Sequence, residues 1–146
     1  MNNQKNIVLC GVGGQGTVLA SKLLAAAAMS KDIPVMSAET IGMAQRGGSV
    51  FSHLRMGDNL YSPMIETGTA DLIIGFEPGE TVRMLPYLKD HGHIVVSTRA
   101  VKPVTATLSG SDYDAPQMLE YLKAAVPNLT LVNADQACAD IGSSKV

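Results

Sequence analysis

A short apolar run that stops at a cluster of glycines constrains this chain more than any other feature. Ile7-Val8-Leu9-Cys10 leads directly into Gly11-Val12-Gly13-Gly14-Gln15-Gly16. Such a run reads as a buried strand, and the glycines as a tight turn. Thr17 to Ser30 then reads as a helix, with Leu19, Leu23 and Leu24 on one side and Ala25 to Ala28 forming a slim surface. Ile33 to Ala38 is a second strand. Strand, glycine turn, helix and strand make a βαβ unit, whose crossover is expected to be right-handed.

The turn satisfies the pattern G-x-G-x-x-G. Glycine permits positive φ and close approach to the backbone. The helix start beyond it offers free N–H groups and partial positive charge, which suit a phosphate. Glu39 stands near where a ribose-binding acid is expected, roughly 20 residues on. The packing alternative is that the glycines only let the helix lie close to the strand. The residues leave both readings open.

The rest of the chain continues the alternation. Ser49 to Met56 reads as a strand, Gly57-Asp58-Asn59 as a turn, and Leu60 to Ser62 as a hairpin arm pairing back. Asp71 to Phe76 is a strand and Glu77 to Leu88 a helix, with Pro78 in its first turn and Pro86 shortening its end. His93 to Thr98 is a strand, Val104 to Leu108 an edge strand, and Ala115 to Ala125 a helix. Leu129 to Asn133 is a strand, and a last helix starts at Ala134. This order predicts an α/β fold: a three-layer α/β/α sandwich with a mostly parallel, mixed sheet, Rossmann-like. Ligands of such sheets gather at the carboxyl ends of the strands. Both glycine-rich loops, Gly11 to Gly16 and Gly42 to Gly48, follow strands and are expected there.

The second loop is the more distinctive. Gly42-Met43-Ala44-Gln45-Arg46-Gly47-Gly48-Ser49 puts a guanidinium and an amide among glycines. Arg46 could meet a carboxylate or phosphate bidentately beside backbone N–H groups. The bland alternative is a surface loop with a solvated arginine. Together with the first glycine turn, His53-Leu54-Arg55, Tyr61-Ser62-Pro63, Ala70-Asp71-Leu72, Phe76-Glu77-Pro78 and Leu85-Pro86-Tyr87-Leu88, this loop resembles the gamma domain of 2-oxoacid:ferredoxin oxidoreductases. The form of the Gly42 to Ser49 loop is most similar to the beta subunit of indolepyruvate ferredoxin oxidoreductases. The resemblance runs in order along essentially the whole chain.

The resemblance implies a subunit that holds no redox centre of its own. Thiamine diphosphate, Mg²⁺ and iron–sulfur clusters would sit in large partner subunits, coenzyme A would be a co-substrate, and ferredoxin would be reached through the complex. The reaction implied is oxidative decarboxylation of a 2-oxoacid, indolepyruvate or another aryl pyruvate, to an acyl-coenzyme A. Gly11, Gly13, Gly14, Gln15 and Gly16, with Gln45, Arg46, Gly47, Gly48 and Ser49, are the candidate cofactor-binding residues, and no catalytic residue is assigned. The whole chain, 1–146, is expected to be one such domain, truncated at its C-terminus, because similar subunits continue beyond a stretch like Asn133 to Lys145.

Composition agrees with this division of labour. The chain of 146 residues has 46% hydrophobic residues, enough for the core of one domain. Its net charge of −2, with scattered basic residues, gives no electrostatic case for nucleic acid. The two cysteines, Cys10 and Cys138, cannot supply the thiolates an iron–sulfur cluster takes from a protein. No Gly-Asp-Gly with a downstream asparagine is present to hold Mg²⁺ and diphosphate; Gly57-Asp58-Asn59 is only a turn. Met1 to Asn6 shows no signal peptide, and Val18 to Met29 is too short to span a bilayer, so no membrane role and a cytoplasmic location are expected.

The remaining reactive side chains read as structural. Cys10 and Cys138 are expected in the core. His91 and His93 lack a third ligand for a metal. His53 is expected on an exposed strand face, open to an anion or a partner. Glu77 is either a helix cap or a functional acid, and Glu66 and Glu80 have no visible partner. The methionines are spread through different elements as core or interface filler. The competing readings are a free-standing nucleotide- or NAD-binding Rossmann-like protein and a homo-oligomeric interaction domain.

Overall fold

The computed structural model describes residues 3–40, 47–110 and 112–142. Among these, the strands β1 (Lys5–Val12), β2 (Val35–Thr40), β3 (Ser49–Met56), β4 (Ala70–Gly75), β5 (Leu88–Ser97) and β6 (Leu129–Val132) form one sheet in the order β2-β3-β1-β4-β5-β6. β1, β4, β5 and β6 run parallel, while β3 is antiparallel to both neighbours, β1 and β2. The sheet is therefore mixed, as expected, but not because of a hairpin.

The expected return arm Leu60 to Ser62 is no strand. Side chains of β3 hold the following segment instead. Arg55 donates to the carbonyls of Ser62 at 2.9 Å and Met64 at 3.4 Å, and the Ile65 N–H donates to His53 Nδ1 at 2.9 Å. These bonds take up the backbone groups that a ladder would have used. The turn before it is as read: Gly57 has φ 118°, and a Cβ there would come within 2.6 Å of the Asn3 carbonyl oxygen.

The helices are α1 (Thr17–Met29), α2 (Pro78–Met84), α3 (Val104–Leu108), α4 (Ala115–Ala125) and α5 (Ala134–Asp140). Val104 to Leu108 is thus a helical turn and not an edge strand. Its branched residues read as strand, but the Pro103 carbonyl gathers the N–H groups of Ala106 at 3.1 Å and Thr107 at 3.2 Å. α2 ends where Pro86 enters, and a 3₁₀ turn, Leu85–Tyr87, leads into β5. β5 begins earlier than expected because a register shift against β4 is absorbed at His91, with φ 60°, and Gly92.

α1 lies on β1, β2 and β3, and α2 packs on β1, β4, β5 and α4. Travel from β1 goes to one side of the sheet and travel from β4 to the other, so right-handed crossovers put the two groups of helices on opposite faces. Val8, Cys10, Ile73, Ile94 and Val96 form the core with Met84 of α2 and Leu122 of α4. Alternation sends Leu9, Ser52 and Leu54 to the α1 face. α1 meets the sheet with its small side, Thr17, Ser21 and Ala28, which lets it approach closely. Leu19 and Leu23 point outward, 61% and 63% exposed.

Candidate functional site

The chain leaves β1 towards β2 on one side and leaves β4 towards β5 on the other. The carboxyl ends of these adjacent strands therefore form the switch point where ligands of open α/β sheets collect. Gly11 to Gly16 lies there. Gly14 has φ 100° and Gly16, the N-cap of α1, has φ 85°; a Cβ at either would meet nothing within 4 Å. Those two glycines are needed for backbone conformation, not for room.

Gly11 is the reverse case. A Cβ there would lie 2.9 Å from Gln15 Oε1, Phe76 Cβ and Thr17 Oγ1. Gln15 folds into this space. The Val12 N–H donates to its Oε1 at 2.7 Å, and its Nε2 donates to the Phe76 carbonyl at 3.1 Å. The Gln15 N–H donates to the Val12 carbonyl at 3.1 Å.

The two glycine-rich segments are bonded to each other. The Gly13 N–H donates to the Gly48 carbonyl at 2.8 Å, and the Gly47 N–H to the Gly13 carbonyl at 3.4 Å. The structure thus brings together Gly11, Gly13, Gln15, Gly47, Gly48 and Ser49, while Gly14 and Gly16 stand exposed on the turn. Gln45 and Arg46 lie outside the described residues.

Sequence reading missed one member of this edge. Glu80, without a visible partner in the sequence, accepts a hydrogen bond from the Ser49 hydroxyl and is 1% exposed. The spacing Glu77-x-x-Glu80 at a helix start points to a capping box within α2, so nothing in the sequence signals the contact with Ser49. Glu77 is the N-cap of α2: it is buried, and its Oε2 accepts the Glu80 N–H at 2.9 Å. Burial pushes its carboxyl up to about 7; the Glu80 carboxylate adds to this, and the N–H groups of Glu80, Gly79 and Val101 oppose it. Oε1 has no hydrogen-bond partner among the described residues. Glu77 is thus a cap held near its own protonation point.

Burial also pushes the Cys10 thiol up to about 12, with the Glu80 and Glu77 charges adding and the Thr81 hydroxyl, 4.0 Å from Sγ, opposing. Cys10 is a core residue, as expected, and carries no thiolate at neutral pH. His53 corrects an expectation: it is 1% exposed and packs against Tyr87 and Phe51 with ring centroids 5.3 and 5.5 Å away. Burial holds its pKa below the ordinary value, and Nδ1 accepts the Ile65 N–H, so it is a neutral structural residue closed to an anion. His93 Nε2 meets Thr130 Oγ1 at 2.8 Å. Among the described residues no group of His, Cys, Asp and Glu side chains is arranged to hold a metal. Cys10 and Cys138, one deep in the core and one on α5, do not fit an iron–sulfur cluster. No helix among the described residues is long and apolar enough to cross a membrane.

A model of the pyruvate ferredoxin/flavodoxin oxidoreductase family matches residues 6–146. The chain belongs to that family. Among its relatives, the indolepyruvate oxidoreductase subunit IorB of Archaeoglobus fulgidus is 39% identical over 94% of this chain and 69% of its own length. The subunit of the same name from Methanothermobacter thermautotrophicus is 36% identical over 94% of this chain and 70% of its own length. The chain therefore spans about two thirds of these relatives. The pyruvate oxidoreductase subunit PORC of Thermotoga maritima has the same fold, with a TM-score of 0.64 at 20% identity, over 97% of this chain and 69% of that one. The resemblance read from the sequence is borne out, and so is the α/β architecture. Its relatives are named as subunits of indolepyruvate and pyruvate oxidoreductases.

Proposed function

We propose that this chain is the subunit without redox centres in a thiamine-diphosphate-dependent 2-oxoacid:ferredoxin oxidoreductase, with indolepyruvate or another aryl pyruvate as substrate. The observation that carries the reading is the kinship with two indolepyruvate oxidoreductase subunits at 39% and 36% identity along 94% of the chain. In this reading the thiamine diphosphate, its Mg²⁺ and the iron–sulfur clusters belong to a large partner subunit. When bound there, they supply carbanion stabilisation and electron transfer.

This chain contributes a shaped rim at the carboxyl edge of its sheet. Gly47 and Gly48, bonded to Gly13, directly follow Gln45 and Arg46 in the sequence. Arg46 contacts an anionic part of the oxoacid, of coenzyme A or of the partner's cofactor, and a guanidinium suits such groups by its fork of donors. The chain works in the cytoplasm, and alone it is inactive. Free-standing dinucleotide binding is the weaker reading, because the Val12 and Gly13 N–H groups already donate within the chain.

Co-expression with a candidate large subunit that carries thiamine diphosphate and iron–sulfur clusters tests the proposal. The complex should form acyl-coenzyme A from indolepyruvate and reduce ferredoxin, and the single chain should do neither. Arg46→Ala should lower kcat/KM at normal assembly. Oxoacid oxidation by the isolated chain, or tight binding of NAD to it, would sink the reading.

A further inference from the structure

We propose that Glu80 is a positioning residue: by accepting the Ser49 hydroxyl it holds the Gly47–Ser49 segment in place against the first glycine turn. The inference rests on the function proposed above for its kinetic consequence, and on geometry alone for the clasp.

A glutamate at the third position of a helix ordinarily reaches back to the N-cap's own N–H. Here α2 is capped without it. The Glu77 carboxylate takes the Glu80 N–H, and the Glu77 carbonyl takes the Thr81 N–H at 3.0 Å and its hydroxyl at 2.7 Å. The Glu80 side chain instead crosses to the first residue of β3. Keeping a second carboxyl buried beside that of Glu77 is costly, and an apolar residue at such a position would usually be as stable or more so. Arg83 does little to offset this, since it lies 3.7 Å away and its side chain is 61% exposed. The stability of α2 therefore gives no reason for Glu80; the bond to Ser49 does.

Ser49 directly follows the residues it would steady. Gly48 receives the Gly13 N–H, Gly47 donates to the Gly13 carbonyl, and the Gly47 carbonyl accepts the Val104 N–H at 3.2 Å. Gly47 has φ 76°, and a Cβ there would lie 2.3 Å from Val104 Cγ2. The segment is thus gripped by the first turn, by α3 and by Glu80. Of these three grips, the last is the one made between two side chains.

The test uses the assembled complex with Ser49→Ala, Ser49→Thr and Glu80→Gln. Loss of a hydrogen bond to a charged group should speed amide exchange at Gly13, Gly47 and Val104 about tenfold or more in Ser49→Ala. The Glu80 amide, capped by Glu77, should keep its protection. Ser49→Thr and Glu80→Gln keep a donor and an acceptor and should restore the slow exchange. In an active complex, Ser49→Ala should raise KM for the oxoacid or coenzyme A about tenfold with kcat little changed. Wild-type exchange in Ser49→Ala, faster exchange spread evenly over the sheet, failure of Ser49→Thr to rescue, or unchanged KM in an active complex would each overturn the proposal. If the wild-type complex oxidises no 2-oxoacid, the functional reading falls, and the exchange pattern alone supports or overturns the clasp.

Discussion

Gln15 donates from its amide nitrogen to the carbonyl of Phe76 at 3.1 Å, tying the turn after β1 to the end of β4. Its oxygen meanwhile receives the Val12 N–H. One side chain thus bonds both to the turn after β1 and to the end of β4. Gln15→Ala should cost about 1–3 kcal/mol, since it strands a part-buried donor and acceptor. The midpoint of urea unfolding measures this, and an unchanged midpoint would show that water replaces the bonds freely.

Gly75 faces Thr81 across the strand–helix junction. A Cβ on Gly75 would fall 1.7 Å from Thr81 Oγ1 and 2.9 Å from its Cβ. Gly75→Ala should destabilise the protein by about 3 kcal/mol through overpacking. Thr81→Ala removes the nearer clash and leaves the farther, so the double variant should be less destabilised than the sum of the singles. Strict additivity in thermal unfolding would contradict the contact.

Glu77 predicts a pH dependence with a definite sign. Its folded pKa of about 7 lies above the ordinary 4.5, so the folded state binds the proton more tightly than the unfolded chain. The stability this contributes is fully present below about 4.5 and is lost as pH rises through about 7. Glu77→Gln keeps an acceptor for the Glu80 N–H and should remove that dependence. Asp71 works in a separate window. Burial pushes its carboxyl up, but bonds from Lys89 and the Asn6 N–H, with the charges of Lys89 and Lys5, outweigh this and hold it below 3.8. Its contribution is lost as pH falls through that lowered value. Unfolding free energies of wild type and Glu77→Gln from pH 4 to pH 8 should converge at the acid end; parallel curves would refute the shift.

His53 acts against Glu77. Its folded pKa is lowered from 6.5 by burial, so below 6.5 the unfolded chain binds the proton first and stability falls as pH drops. His53→Phe keeps a ring against Tyr87 and Phe51 and loses the acceptor for the Ile65 N–H. It should cost about 1–3 kcal/mol at neutral pH and lessen the acid-side loss. A fully retained acid-side loss would assign it to another group.

Much of the fold was legible because it rests on local rules. The run Ile7 to Cys10, the glycines after it and the alternation of strands and helices determined an α/β sandwich and the place of its first turn. The family was legible too, since the loop from Gly42 to Ser49 carries a pattern that few folds require. Val104 to Leu108 misled because branched residues favour strands, whereas the carbonyl of Pro103 and the docking of Val104 on Gly47 set its shape.

What tertiary structure alone decided is which side chains meet. His53 and Arg55 looked like an exposed strand face. His53 is buried and Arg55 half-buried because the segment from Ser62 to Ile65 and the ring of Tyr87 lie against them. Those residues are distant enough in the chain that no periodicity reveals it. Glu80 showed no partner because Ser49 lies 31 residues away in the chain, and only the sheet order brings the two together. Periodicity and turn chemistry act between neighbours in sequence and can be read there. A contact between distant residues depends on the packing of the whole chain.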